Sequence, residues 1–62
     1  MTGKIKSFSP AHGYGFIDAG KDIYFHRQQW LSEGLPMVGQ DVFFLLKKTD
    51  KGLRAFKIRR LS

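Results

Sequence analysis

Cysteine is absent from this 62-residue chain, which excludes both a disulfide framework and a thiolate metal site. Long apolar runs are absent too, and no stretch approaches the roughly 20 residues that a membrane-spanning helix needs. The opening Met1-Thr2-Gly3-Lys4 has none of the apolar core of a secretory signal, so a cytoplasmic protein is expected. Catalytic constellations are equally scarce. The carboxylates are scattered, His12 and His26 have no partner at metal-ligand spacing, and the serines lack a base with an orienting group. The expectation is a chain that is no enzyme and holds no metal or cofactor.

What remains is one short domain over residues 1–62 with an uneven charge. A chain of this size buries only about 60% of the surface its unfolded form exposes, so its stability should be marginal. The net charge is +6. Through residue 46, Lys4, Lys6, Lys21 and Arg27 are cancelled by Asp18, Asp22, Glu33 and Asp41. The whole excess comes from Lys47, Lys48, Lys51, Arg54, Lys57, Arg59 and Arg60, opposed by Asp50 alone. A basic end of this kind attracts polyanions. It also fits a plain solvated surface, because net charge speaks to non-specific binding and not to fold.

The hydrophobic pattern is that of strands. Lys4–Phe8 alternates before Ser9-Pro10 breaks it, and Tyr14–Ile17 follows. Asp18–Lys21 reads as a turn, and Asp22–His26 is a second aromatic and β-branched run. Arg27 to Gly39 is a loop carrying Gly34, Pro36 and Gly39, with room for one helical turn near Gln28–Leu31. Asp41–Lys48 and Leu53–Leu61 are two further strands around a hairpin-like turn at Thr49–Gly52. Five short strands and no three-turn helix predict an all-β chain closing into a small barrel, which also removes exposed sheet edges.

Side chains alternate across a strand. With Ile17, Ile23 and Phe25 turned inward, Tyr14, Phe16, Tyr24 and His26 point outward together, and Phe8 and Lys6 extend the patch by the same alternation. These rings could instead be core. However, Ile5, Ile17, Ile23, Phe25, Val42, Phe44, Leu46, Phe56, Ile58 and Leu61 already supply one. An exposed ring cluster needs an explanation. Base stacking offers one, since every base has a π-face and each stacked base is worth about 1–3 kcal/mol. Gly13 and Gly15 leave room for a backbone or base to approach Tyr14 closely. Lys6, His12 and Arg27 lie near enough in sequence to meet phosphates or cap a base.

At this point the chain resembles a known family. His12-Gly13-Tyr14-Gly15-Phe16-Ile17 is similar to the first ribonucleoprotein motif, K/R-G-F/Y-G/A-F-V. Asp22-Ile23-Tyr24-Phe25-His26 resembles the D-V-F-V-H-F motif of cold-shock domains. Gly3–Phe8 looks like their G-x-V-K-W-F, and Val38–Phe44 like their G-Q-x-V-x-F. The resemblance runs from Gly3 to Leu61. The motif order separates it from the RNA-recognition-motif fold, in which the second motif comes first and which carries two helices that 62 residues cannot hold.

The resemblance implies a five-stranded antiparallel barrel of the OB type that binds single-stranded RNA or DNA by stacking, with an RNA-chaperone role as a further possibility. Phe8, Tyr14, Phe16, Tyr24 and His26 fall on family binding positions, and His12 falls where lysine is usual. Three departures stand out. Ser7 replaces the family's exposed tryptophan, and Arg27 replaces a ring with a guanidinium that can itself stack. Trp30 replaces an aliphatic residue and offers either a new platform or a loop anchor. Fewer rings and more charge should weaken base selectivity and steepen salt dependence, with Lys57 and Arg59 adding electrostatics from the C-terminal strand.

Phe43 and Leu45 are left over. Alternation places them outward on the fourth strand. They could form a homodimer or partner surface, or a bulge could turn some of them inward. Two rivals to the single-strand reading therefore stand: a protein-interaction barrel with weakened nucleic-acid binding, and a duplex binder that uses the basic end.

Overall fold

Period-two runs become strands where turn residues free the chain between them. The computed structural model describes residues 1–61; Ser62, the last residue of the expected domain, lies outside them. The strands are β1 (Thr2–Ser9), β2 (Tyr14–Asp18), β3 (Asp22–His26), β4 (Asp41–Thr49) and β5 (Gly52–Arg60), with a 3-10 turn at Arg27–Gln29 after β3. The Asp18–Asp22 turn is pinned by its own first side chain, whose Oδ1 accepts the Gly20 N–H at 3.2 Å. Asx-type bonds of this kind are what favour aspartate in turns.

The strands close into a barrel in the order β1-β2-β3-β5-β4. This bears out the all-β, OB-type expectation with one correction. A closed ring with an odd number of strands cannot alternate direction all the way round, so one seam must be parallel. That seam is β3·β5, where the register is a single partner pair, Tyr24 with Arg54. The other four pairings are antiparallel. Beyond the seam, Trp30 bridges to Ile58, and the Leu31 N–H donates to the Ile58 carbonyl at 2.8 Å.

Inside are Ile5, Ile17, Ile23, Phe25, Val42, Phe44, Ala55 and Ile58, each at most 1% exposed. Each such large side chain contributes about 1.5–3 kcal/mol relative to leaving it in water. Two residues expected in the core are not there. Leu61 is half exposed, and Phe56 lies opposite the exposed Leu45 on the outer face. The cause is a bulge. Between Phe43 and Leu45 β4 advances two residues, while β5 advances three, from Arg59 to Phe56. The extra residue is Lys57, at φ +51°. It resets the alternation, so Ala55 and Ile58 both point inward and Phe56 points out.

A second bulge lies in β1, where Ile5 pairs with Ile17 but Ser7 already pairs with Phe16. It puts both Lys6 and Ser7 outside. Phe8 is then turned towards the interior, where it stacks on Phe25 with ring centroids 5.9 Å apart. Gly15 makes this possible. A Cβ there would run into the Ser7 carbonyl oxygen and lie 3.0 Å from two Phe25 ring carbons. The missing side chain thus makes room for β1 and Phe25 within the barrel wall, not for a base outside it.

Candidate nucleic-acid interface

β2 and β3 are in full antiparallel register, with Tyr14 opposite His26 and Phe16 opposite Tyr24. Their inner positions go to Gly15, Ile17, Ile23 and Phe25, all buried, so the remaining side chains must share the outer face. Tyr14 and Tyr24 stack at 5.8 Å. Phe16 meets both edge-on, at 6.5 Å from Tyr14 and 6.0 Å from Tyr24. Offset and edge-to-face pairs of this kind each contribute about 0.5–1.5 kcal/mol beyond burial, which holds an open ring face in shape without a ligand.

The groups expected around the rings divide. Lys6 reaches Asp22 across β2, its Nζ 3.0 Å from both carboxylate oxygens. This exposed ion pair is worth about 0–1 kcal/mol, so little holds the Lys6 ammonium in place. His12, in the β1–β2 turn, brings its ring 5.8 Å from Tyr14 and places Nδ1 2.8 Å from the Ser9 hydroxyl. His26 Nδ1 accepts the Gln28 N–H at 3.1 Å and caps the 3-10 turn. A neutral ring bonded in this way keeps its proton on Nε2, which is left as a donor. The Arg27 N–H donates to the Gly13 carbonyl at 2.8 Å, and its side chain lies along Gly13. His12, Gly13, His26 and Arg27 thus share the walls of a groove of about 250 Å³.

Four expected site residues are not on this face. Phe8 is turned away by the β1 bulge, so the simple alternation that grouped it with Tyr14 fails. Trp30 is partly buried against the core, and its Nε1–H donates to the Gly34 carbonyl at 2.9 Å; that geometry is a loop anchor. Lys57 is the exposed bulge residue, its N–H directed to Gln29 Oε1 at 3.4 Å. Arg59 pairs with Phe43, five residues along β5 from Arg54 and so about 15 Å from the ring cluster.

Other residues that the strand pattern did not single out lie beside this face, on β4, β5 and the 3-10 turn. Arg54 holds its guanidinium carbon 4.6 Å from the centre of the Tyr24 ring. Lys47 holds Nζ 5.3 Å from the Phe56 ring. Between them, Tyr24, His26, Gln28, Gln29, Arg54 and Phe56 line a second groove of about 250 Å³ over the β3·β5 seam. The Arg54 guanidinium covers one face of Tyr24 and sets positive charge on the platform, where a phosphate can draw it off the ring. The side chains present are aromatic, basic and amide groups. Among the described residues no cluster of three or more His, Asp or Glu could hold a metal, and no helix is long and apolar enough to cross a membrane.

Comparison with known proteins agrees with the barrel fold. The chain is 35% identical to the cold shock-like protein CspA of Vibrio cholerae, covering 98% of this chain and 94% of that one. It is 36% identical to the cold shock-like protein CspA of Rickettsia bellii, covering 95% and 91%. Its fold matches the solved structure of drosophila Unr CSD456 with a TM-score of 0.82 at 23% identity, over 98% of this chain but only 26% of that one. The family profile described as the 'Cold-shock' DNA-binding domain matches residues 1–61, and the chain belongs to that family.

Proposed function

We propose that this protein binds single-stranded RNA or DNA without catalysis, stacking bases on Tyr14, Phe16 and Tyr24 and holding the adjoining phosphates with Arg54, Arg27 and Lys6. The observation that carries the reading is the preformed ring cluster on β2 and β3, with a guanidinium over its central ring. The exposed Tyr14 and half-buried Phe16 and Tyr24 turn ring surface outward that an unpaired base can cover, whereas the bases of a duplex are already stacked on one another. His26 Nε2–H supplies a hydrogen-bond donor at the edge of the platform. The cationic groups make the affinity strongly salt-dependent: each phosphate contact contributes about −0.7 to the slope of log K against log salt for a single strand. A barrel that holds unpaired strands opposes their re-pairing, which is the physical content of an RNA-chaperone role.

The test is a competition titration in which a labelled pyrimidine-rich single strand is displaced by unlabelled single-stranded or duplex DNA of one sequence. The single strand should displace at much lower concentration, and Phe16→Ala should weaken single-strand binding while the circular dichroism spectrum is unchanged. Equal displacement by duplex, with Phe16→Ala binding like the parent, would move the site to the basic end of β5.

A further inference from the structure

The rings of β2 and β3 leave a second group of exposed apolar side chains unused. Phe43 and Leu45 are 41% and 43% exposed on the outer face of β4, and the β5 bulge brings Phe56 out beside them. Cross-strand register pairs Phe43 with Arg59, Leu45 with Phe56, and Lys47 with Arg54, and partners across a ladder share a face. Each ring there has a cation next to it: Arg59 across from Phe43, and the Lys47 ammonium above Phe56. From Val42 to Arg60 the one acidic residue is Asp50, in the β4–β5 turn.

We propose that the outer face of β4 and β5 is a second single-strand-binding platform, joined to the first across the β3·β5 seam, so that one longer strand passes over both. This rests on the reading of the β2–β3 face as a single-strand site. A stacking surface interleaved with positive charge, and free of negative charge, matches a chain of bases and phosphates. A second copy of the protein fits it poorly. In a two-fold contact the same patch faces itself, so Lys47, Arg54 and Arg59 would meet their own equivalents, and like charges oppose such a contact. Continuity comes from Tyr24 and Arg54, the partner pair of the seam. Arg54 lies over Tyr24 of the first face and beside Lys47 of the second. From β2 to β4 the track covers three strand spacings, about 15 Å around the barrel. At about 3.4 Å per nucleotide along one strand, that is about four to five nucleotides, at the low end of the roughly 4 to 16 that one OB-type barrel engages.

The experiment is fluorescence anisotropy with an end-labelled thymidine tetranucleotide and dodecanucleotide. They are titrated with the parent protein, Phe43→Ser, the double variant Lys47→Gln/Arg59→Gln, and Tyr24→Ala, each checked by circular dichroism. Phe43→Ser should weaken dodecanucleotide binding about fivefold or more, the loss expected from one base stack, and leave tetranucleotide binding within about twofold. The double glutamine variant, which leaves every ring in place, should make the dodecanucleotide salt slope shallower by about 1.4, two phosphate contacts. Tyr24→Ala should weaken both ligands.

If the β4–β5 variants bind the dodecanucleotide like the parent while Tyr24→Ala weakens both, the second platform is wrong and the first stands. If Tyr24→Ala also leaves the tetranucleotide unaffected, the underlying single-strand reading fails and this inference with it. A parent dimer in light scattering that Phe43→Ser splits would assign the face to a second copy and overturn the proposal.

Discussion

Replacing Tyr24 with alanine should separate binding from folding more cleanly than any other change. Tyr24 is half-buried at the centre of the outer face, in contact with Tyr14, Phe16 and Arg54. Its chain neighbours Ile23 and Phe25 point inward and are fully buried, so no cavity opens in the core. The folded state loses two ring contacts of about 0.5–1.5 kcal/mol each and one exposed cation–π contact of about 0.5–1 kcal/mol. Because these share one ring they do not add in full, and a net loss of about 1–2 kcal/mol is expected. At roughly 0.05–0.15 kcal/mol per residue a domain of this size has about 3–9 kcal/mol of stability, so the variant stays folded in the cold. Binding loses a stacked base, about 1–3 kcal/mol or roughly 5- to 150-fold. Tyr24→Phe keeps the ring and should bind within about twofold of the parent. Anisotropy titrations and thermal melts on the three proteins read both quantities. A folded Tyr24→Ala variant with parental affinity would refute the stacking argument.

Further predictions concern the bulges and the departures from the family pattern. Gly15→Ala should destabilise the barrel severely, by about 3 kcal/mol or more in urea unfolding, because the added carbon meets the Ser7 carbonyl and the Phe25 ring. An unchanged midpoint would mean that β1 does not approach β2 as described. Lys57→Gly should raise stability by about 0.5–1 kcal/mol in the same assay, since lysine pays for its left-handed backbone at φ +51°; a loss would show that the lysine side chain stabilises the bulge. Ser7→Trp places a ring opposite Phe16 on the outer face and should tighten binding about fivefold, with weaker or equal binding counting against Ser7 as part of the surface.

The sequence made the central face legible and its flanks obscure. Tyr14, Phe16, Tyr24 and His26 lie in two strands joined by a short turn, so strict alternation and one local pairing were enough to group them. The barrel class was legible for the same reason, through five short runs and their turn residues. Phe8 was misplaced because a bulge at Lys6 shifts the alternation by one, and nothing in Lys-Ser-Phe marks it. Phe56 was misplaced for the same reason. Lys57 occupies a left-handed position that usually takes glycine, so the usual bulge signal is missing. Arg54 could not be assigned at all. Its place over Tyr24 depends on the parallel closure of β3 on β5, a contact 30 residues apart in the chain that no local pattern encodes.

The most direct test of the single-strand face is a chemical-shift map: amide spectra of the labelled protein recorded while a short pyrimidine-rich single strand is added. The account predicts the largest shifts at Tyr14, Phe16, Tyr24 and His26, extending to Arg54 across the seam. Shifts confined to Arg59, Arg60 and the β4–β5 turn, with the β2–β3 amides unmoved, would contradict it.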